Sequence, residues 1–196
     1  MAKRFILMCV ALLSLTATSF ASVRPMRLEE LTQSSDYIVV GKVTKTRIID
    51  GQKIAELHVT RTLKGNPSVT RLYFSASPGW ACDVSDARLH ETGLFFLESG
   101  DIPNPDEEDL RSIKKVEKFT GGAPFFYISF SGRGRKVFKR VGGKEYVYVW
   151  RRGELIYPES LEFALRPDPK DADLGLVHVD DLLALINSYL ANKGAA

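Results

Sequence analysis

The chain has few of the residues that build reactive or cross-linked sites. Its 196 residues include two cysteines, three histidines and two tryptophans. So little cysteine excludes a disulfide-stapled scaffold and a four-thiolate zinc site. The histidines, His58, His90 and His178, stand far apart, and no His-Cys-Asp-Glu spacing matches a metal centre. Counting back twelve places from Asp181 puts Lys170, Ala172, Leu174 and His178 where a calcium loop needs oxygens, so that register fails. No repeat of fixed period is present, and no motif names a reaction. The expectation is a protein without a cofactor and without catalytic residues. Beyond its first residues the chain has no apolar run near the roughly twenty residues that span a bilayer.

The opening segment carries the clearest signal. Lys3-Arg4 precede an apolar run over residues 5–15, and small and polar residues end at Ser19-Phe20-Ala21. A positive start, a short apolar stretch and small residues before a cut predict a cleaved export signal over residues 1–21, with a mature start at Ser22. The expected location is periplasmic or secreted. Cleavage removes Lys3, Arg4 and Cys9, which leaves 25 basic against 24 acidic residues and lowers the net charge from +3 to +1. A nucleic-acid binder needs a clear positive excess, so nucleic acid is not an expected partner. Cys9 lacks the lead-in of a lipid-anchored cysteine, and no membrane span is expected after cleavage. Cys82 then stands alone. It is buried and inert, pairs with a second copy as a disulfide-linked homodimer, or is reactive.

Alternation dominates the rest of the chain. A short helix over residues 26–34 leads into a strand at Tyr37, Val39, Gly41 and Val43. Asp50-Gly51 makes a turn. Ala55, Leu57 and Val59 then face one way and Glu56, His58 and Thr60 the other. After the turn Lys64-Gly65-Asn66-Pro67, Thr70, Leu72, Phe74 and Ala76 mark a third strand. Residues 93–97, Gly-Leu-Phe-Phe-Leu, are apolar throughout and predict a strand covered on both faces. Residues 100–109 hold two prolines and five acids and predict an exposed loop. Residues 125–130 are aromatic-rich, and two further strands flank Gly142-Gly143, a two-residue hairpin turn. A Pro-Asp linker at 167–173 precedes a helix with Leu182, Leu183, Leu185, Ile186, Tyr189 and Leu190 on one stripe and Asp180 as its cap.

Many short antiparallel strands with few helices predict a mostly β fold. It is an OB-like antiparallel barrel with an additional β-meander and a C-terminal helix. A mid-strand Gly41 suits a bend where a barrel closes. The expected organisation is a signal at 1–21, the barrel at 22–100, the meander extension at 101–166, and linker and helix at 167–196.

Four stretches, Ser35-Asp36-Tyr37-Ile38-Val39-Val40-Gly41-Lys42-Val43, Leu57-His58-Val59 running to Leu63-Lys64-Gly65, Cys82, and Gly93-Leu94-Phe95-Phe96-Leu97, carry a resemblance. Over about a third of the chain they resemble a secreted bacterial module similar to the OB-fold domain of tissue inhibitors of metalloproteases and netrin-type domains. The resemblance implies the barrel and a habit of binding partners. It does not imply zinc-chelating inhibition, because the mature chain would start Ser22-Val23-Arg24-Pro25 with no cysteine.

Two surfaces are candidates. Trp80, on the Pro78-Gly79 loop beside Cys82, either anchors a partner or plugs the barrel mouth. Arg133, Arg135, Lys136, Lys139 and Arg140 cluster around a hairpin near Phe130 and Phe138. They form an anionic contact surface, or a strand whose aromatics face the core and whose charges face water; acids at 106–109 offer to neutralise them. The candidate binding residues are Trp80, Cys82, Arg133, Arg135 and Lys136. The expectation is an exported, non-enzymatic module that binds a protein or envelope component. The alternatives are a thiol-dependent enzyme using Cys82, with His90 as base and Asp83 or Asp86 orienting it, and an inhibitor or immunity-type protein acting on a periplasmic or extracellular enzyme.

Overall fold

The structure, a computed structural model, describes residues 24–78, 85–100 and 107–192. The segment expected to be an export signal, Trp80 and Cys82 lie outside the described residues. The elements in chain order are β1 (Met26–Arg27), α1 (Leu28–Ser34), β2 (Tyr37–Ile49), β3 (Gln52–Lys64), β4 (Arg71–Ser75), β5 (Thr92–Ser99), α2 (Glu107–Thr120), β6 (Phe125–Ile128), β7 (Arg135–Val141), β8 (Lys144–Trp150), β9 (Leu155–Ile156), β10 (Leu174–His178) and α3 (Val179–Asn192).

The fold is mostly β, built on a closed five-stranded barrel. β2 pairs antiparallel with β3 and with β5, β3 with β4, β4 in parallel with β6, and β6 antiparallel with β5. This order, with the third and fifth barrel strands parallel, is that of an OB-like barrel. Side-chain alternation fills it from one face of each strand. Val39, Val43, Ala55, Leu57, Leu72, Phe74, Phe95, Leu97, Phe126 and Ile128 are buried inside, with the Phe74 and Phe95 rings 5.5 Å apart. Gly41 sits at an irregularity in the β2–β3 register. A Cβ there would come 2.6 Å from the His58 carbonyl oxygen, so the two strands close tightly at a point only glycine allows.

The barrel therefore extends past Gly100. Its closing strand comes from 125–128, inside the stretch assigned to the meander, because Phe126 and Ile128 complete the interior and their backbone occupies the open edges of both β4 and β5. Of the stretch expected as an exposed loop, residues 107–109 begin α2, and residues 101–106 lie outside the described residues.

The outer faces of the barrel strands are covered from two sides. Ile38, Val40, Leu94 and Phe96 pack beneath Leu28 and Leu31 of α1, Leu182, Leu183 and Ile186 of α3, and Val147, Val149 and Val177 of β8 and β10. This accounts for the unbroken apolar run at 93–97, which serves two cores. On the opposite wall Ile54 and Tyr73 pack against Val116 and Phe119 of α2.

The meander is a wing on the same sheet. β7 continues from β5, β8 pairs with β7, and β10 pairs with β8. Residues 174–178, which the sequence left beside a linker, form this last strand, and Leu165 shields its edge by exchanging backbone hydrogen bonds with Leu176. Asp180 sits in the first turn of α3 with Asp181 rather than at its cap, where both carboxylates complement the positive end of the helix. Among the described residues no helix is long and apolar enough to cross a membrane.

Candidate binding surface

The sequence singles out the hairpin cations first, and the structure divides them. Arg135 donates twice from Nη1 to the Glu91 carboxylate, at 2.6 and 2.7 Å, and both side chains are largely buried. Arg133 pairs through Nε with Glu154 and lies 5.7 Å from the Phe130 ring centroid. Arg140 pairs with Glu145 at 3.0 Å on the surface. The neutralising carboxylates are thus Glu91, Glu154 and Glu145. The side chains at 106–109, offered by the sequence for that role, lie outside those described.

Lys136 follows a different course. Its position on β7 turns it toward the packed side of the wing, where Leu94 is its register partner. Its ammonium stands 5.6 Å from the Tyr157 ring centroid. Burial, then the neighbouring Arg133 and Arg135 charges, lower its pKa to about 8. Phe130 and Phe138 pack against the same core. Arg133, Arg135 and Lys136 are brought together, but as a partly buried group in which the two arginines are ion-paired, and not as an open cationic patch.

The open surface lies on the other side of the same strands. Along β8 the two-residue period sends Val147 and Val149 into the core and Tyr146, Tyr148 and Trp150 outward. β7 adds Val137, Lys139 and Val141, with Lys139 opposite Tyr146 and Val141 opposite Lys144. Val137, Val141, Tyr148, Trp150 and the adjoining Leu165 are each 37–52% exposed. Lys139 donates from Nζ to the Tyr148 hydroxyl at 2.6 Å and lies 5.0 Å from its ring centroid. Tyr146 is buried under His178, with their rings stacked 4.6 Å apart, which braces the strands below the exposed rings. The sequence reading missed Tyr148 and Trp150. The alternation of aromatic and valine along 146–150 was the available sign.

The outer wall formed by β3 and β4 is the ligand-facing surface of many OB barrels. Here α2 covers part of it, and its covering is held by Asp50, which accepts from Lys115 at 2.7 Å and from Ser112 at 3.2 Å. The uncovered part bears Glu56. Burial alone would raise the pKa of this carboxyl, but donation from Thr44 (2.8 Å), Tyr73 (2.9 Å) and Lys45 (3.3 Å) leaves it lowered. It is a satisfied carboxylate, and His58 and Arg71 stand exposed beside it around a cleft of about 540 Å³.

Two further clefts meet at Gln52 and Tyr127. One, of about 780 Å³, lies between α2 and β6. The other, of about 520 Å³, is hydroxyl-rich and includes Ser75, Ser77, Ser131 and Glu98, whose pKa is raised by burial and by nearby Asp36. Pro78 and Ser85, on either side of the stretch that holds Trp80 and Cys82, line this second cleft. His90 is exposed at a turn with φ of +68°; its pairing with Cys82 lies outside the described residues. Among the described residues no three His, Cys, Asp or Glu side chains group as a metal site. No protein-family model and no curated protein matches this chain.

Proposed function

We propose that the protein is an exported, non-enzymatic binding module for a protein or envelope component, and that its contact surface is the outer face of β7, β8 and β10. The observation that carries this reading is the exposure of Tyr148 and Trp150 beside Val137 and Val141 on one sheet face. The opposite face of these strands already supplies the core, so folding does not require apolar side chains outside. Contiguous exposed apolar groups on a soluble domain mark interaction sites, and Trp and Tyr are the residues most enriched at the energetic centres of interfaces. Export rests on the segment 1–21. The OB-like order of the barrel agrees with the resemblance to metalloprotease-inhibitor and netrin-type domains at the level of fold, and fold alone does not assign function. Inhibition of an envelope enzyme is one form such binding takes.

The test places a photo-crosslinking amino acid at single positions of the full chain expressed with its own leader. Tyr148→p-benzoylphenylalanine should trap an envelope component. Ile48→p-benzoylphenylalanine, at the exposed tip of the β2–β3 hairpin, should not. Adducts from both positions, or from neither, would contradict the reading.

A further inference from the structure

We infer that the outer face of the wing binds an acidic polysaccharide, an inference that rests on the binding reading above and names its ligand class. Three observations carry it. The first is the shape of the platform. Tyr148 and Trp150 are two residues apart on one strand and project from the same face, so their Cα atoms are separated by about 6.6 Å. Successive sugar units of an extended chain advance by a comparable step. A pyranose ring has an apolar C–H face and a polar rim, and its C–H face packs flat against the face of an aromatic ring. The rings are held by a sheet whose under-surface is fully packed and by the Tyr146–His178 stack. Little ordering is then left to be done on binding.

The second observation is charge. Lys139 lies at the middle of the platform, between Val137 and Val141 on β7, and its ammonium is held by the Tyr148 phenol. Among the described residues it makes no ion pair, in contrast to Arg133 and Arg135 behind it. Lys144 lies opposite Val141 but shares a cleft with Asp180 and Asp181, so Lys139 is the cation that reads an acid group. Uronate carboxylates or sulfate esters along a sugar chain would meet its ammonium while the ring faces cover Tyr148 and Trp150.

The third observation is size. Five side chains exposed by about half offer a few hundred Å² at most, well short of the ~800 Å² each partner contributes to a standard protein complex. An extended chain of a few sugars fits that area. A nucleic acid strand would call for more free cations than Lys139 and Lys144, since its affinity comes chiefly from phosphate neutralisation.

Affinity electrophoresis of the full chain tests this. Native gels are cast with polygalacturonate, alginate, hyaluronan or chondroitin sulfate, with fully methyl-esterified polygalacturonate, and with single-stranded DNA. At least one acidic polysaccharide should retard the protein. Its retention should fall about tenfold or more in Trp150→Ala, the loss of one stacked ring, and severalfold in Lys139→Gln, with both variants melting as the wild type does. Esterified polymer and DNA should retard it less. Retention by no acidic polysaccharide, equal retention of either variant, or equal retention by the esterified polymer or DNA would overturn the inference. If retention fails while the Tyr148 probe still traps a protein, the ligand class is wrong and the binding surface stands. If both fail, the surface itself is wrong.

Discussion

The ammonium of Lys136 stands 5.6 Å from the centre of the Tyr157 ring, and the hydroxyl of that same tyrosine is buried with no hydrogen-bond partner among the described residues. Two polar groups are thus held against one core, one charged and one unsatisfied, whereas the buried Glu56 and Arg135 are both paired. Both are liabilities for stability, and each leads to a measurable consequence.

The folded chain lowers the Lys136 pKa from 10.5 to about 8. Below pH 8 the ammonium is charged in both states and the full penalty applies, on the order of 3 kcal/mol for a shift of that size. Between pH 8 and 10.5 the unfolded chain binds more protons than the folded one, so this residue's contribution to stability rises with pH. Lys136→Met should therefore stabilise the protein at pH 7, with a gain that shrinks toward zero by pH 10.5. Urea unfolding of both proteins at the two pH values checks this. A gain that does not depend on pH would contradict the assignment.

Tyr157→Phe removes the unsatisfied hydroxyl and keeps the ring beneath Lys136. Leaving a buried donor unpaired costs about 1–3 kcal/mol, so the variant should be as stable as the parent or more so, by about 1 kcal/mol. A loss of stability in chemical denaturation would mean the hydroxyl has a partner in solution.

Gly41→Ala places a methyl group 2.6 Å from the His58 carbonyl oxygen and 2.9 Å from the Leu57 side chain. The backbone oxygen belongs to the barrel ladder and cannot swing away. The substitution should destabilise by about 3 kcal/mol, the upper end of overpacking, measured as a lower urea midpoint with an unchanged slope. A midpoint within error of wild type would show that the strands can part here.

Glu91→Ala removes the carboxylate that accepts twice from the largely buried Arg135 guanidinium, and breaking such a pair from one side costs about 3–5 kcal/mol. The double variant Glu91→Leu with Arg135→Met should recover most of that loss, because it removes the buried guanidinium together with its carboxylate. A double variant as unstable as the single one would show that the pair serves the fold by more than mutual neutralisation.

The four long barrel strands were legible in the sequence because alternation is a local signal. Ala55, Leu57 and Val59 point inward and Glu56 and His58 outward as their spacing predicts. Asp50-Gly51 and Gly142-Gly143 have the positive φ values that tight hairpins need. The closing strand was visible as a strand, but its partners were not. β6 pairs in parallel with a strand about fifty residues earlier, and no local pattern records such a match. Helix α2 was missed although Ile113, Val116 and Phe119 recur at helical spacing, because charged residues outnumber the apolar ones around them.

The ion pairs of the basic hairpin were hidden for a related reason. The carboxylates that neutralise it come from 44 residues away in Glu91 and 21 in Glu154. Tyr148 and Trp150 were legible as one face of a strand, but whether that face meets a core or water depends on which side β2 and β5 present to the wing.

The most direct measurement follows Trp150 itself. In the Trp80→Phe chain it is the only remaining tryptophan, and its exposure on the wing should give red-shifted emission readily quenched by acrylamide. Adding the envelope fraction should shift that emission to the blue and protect it from quenching. Quenching unchanged by saturating envelope fraction would contradict the claim that this face is where the protein makes contact.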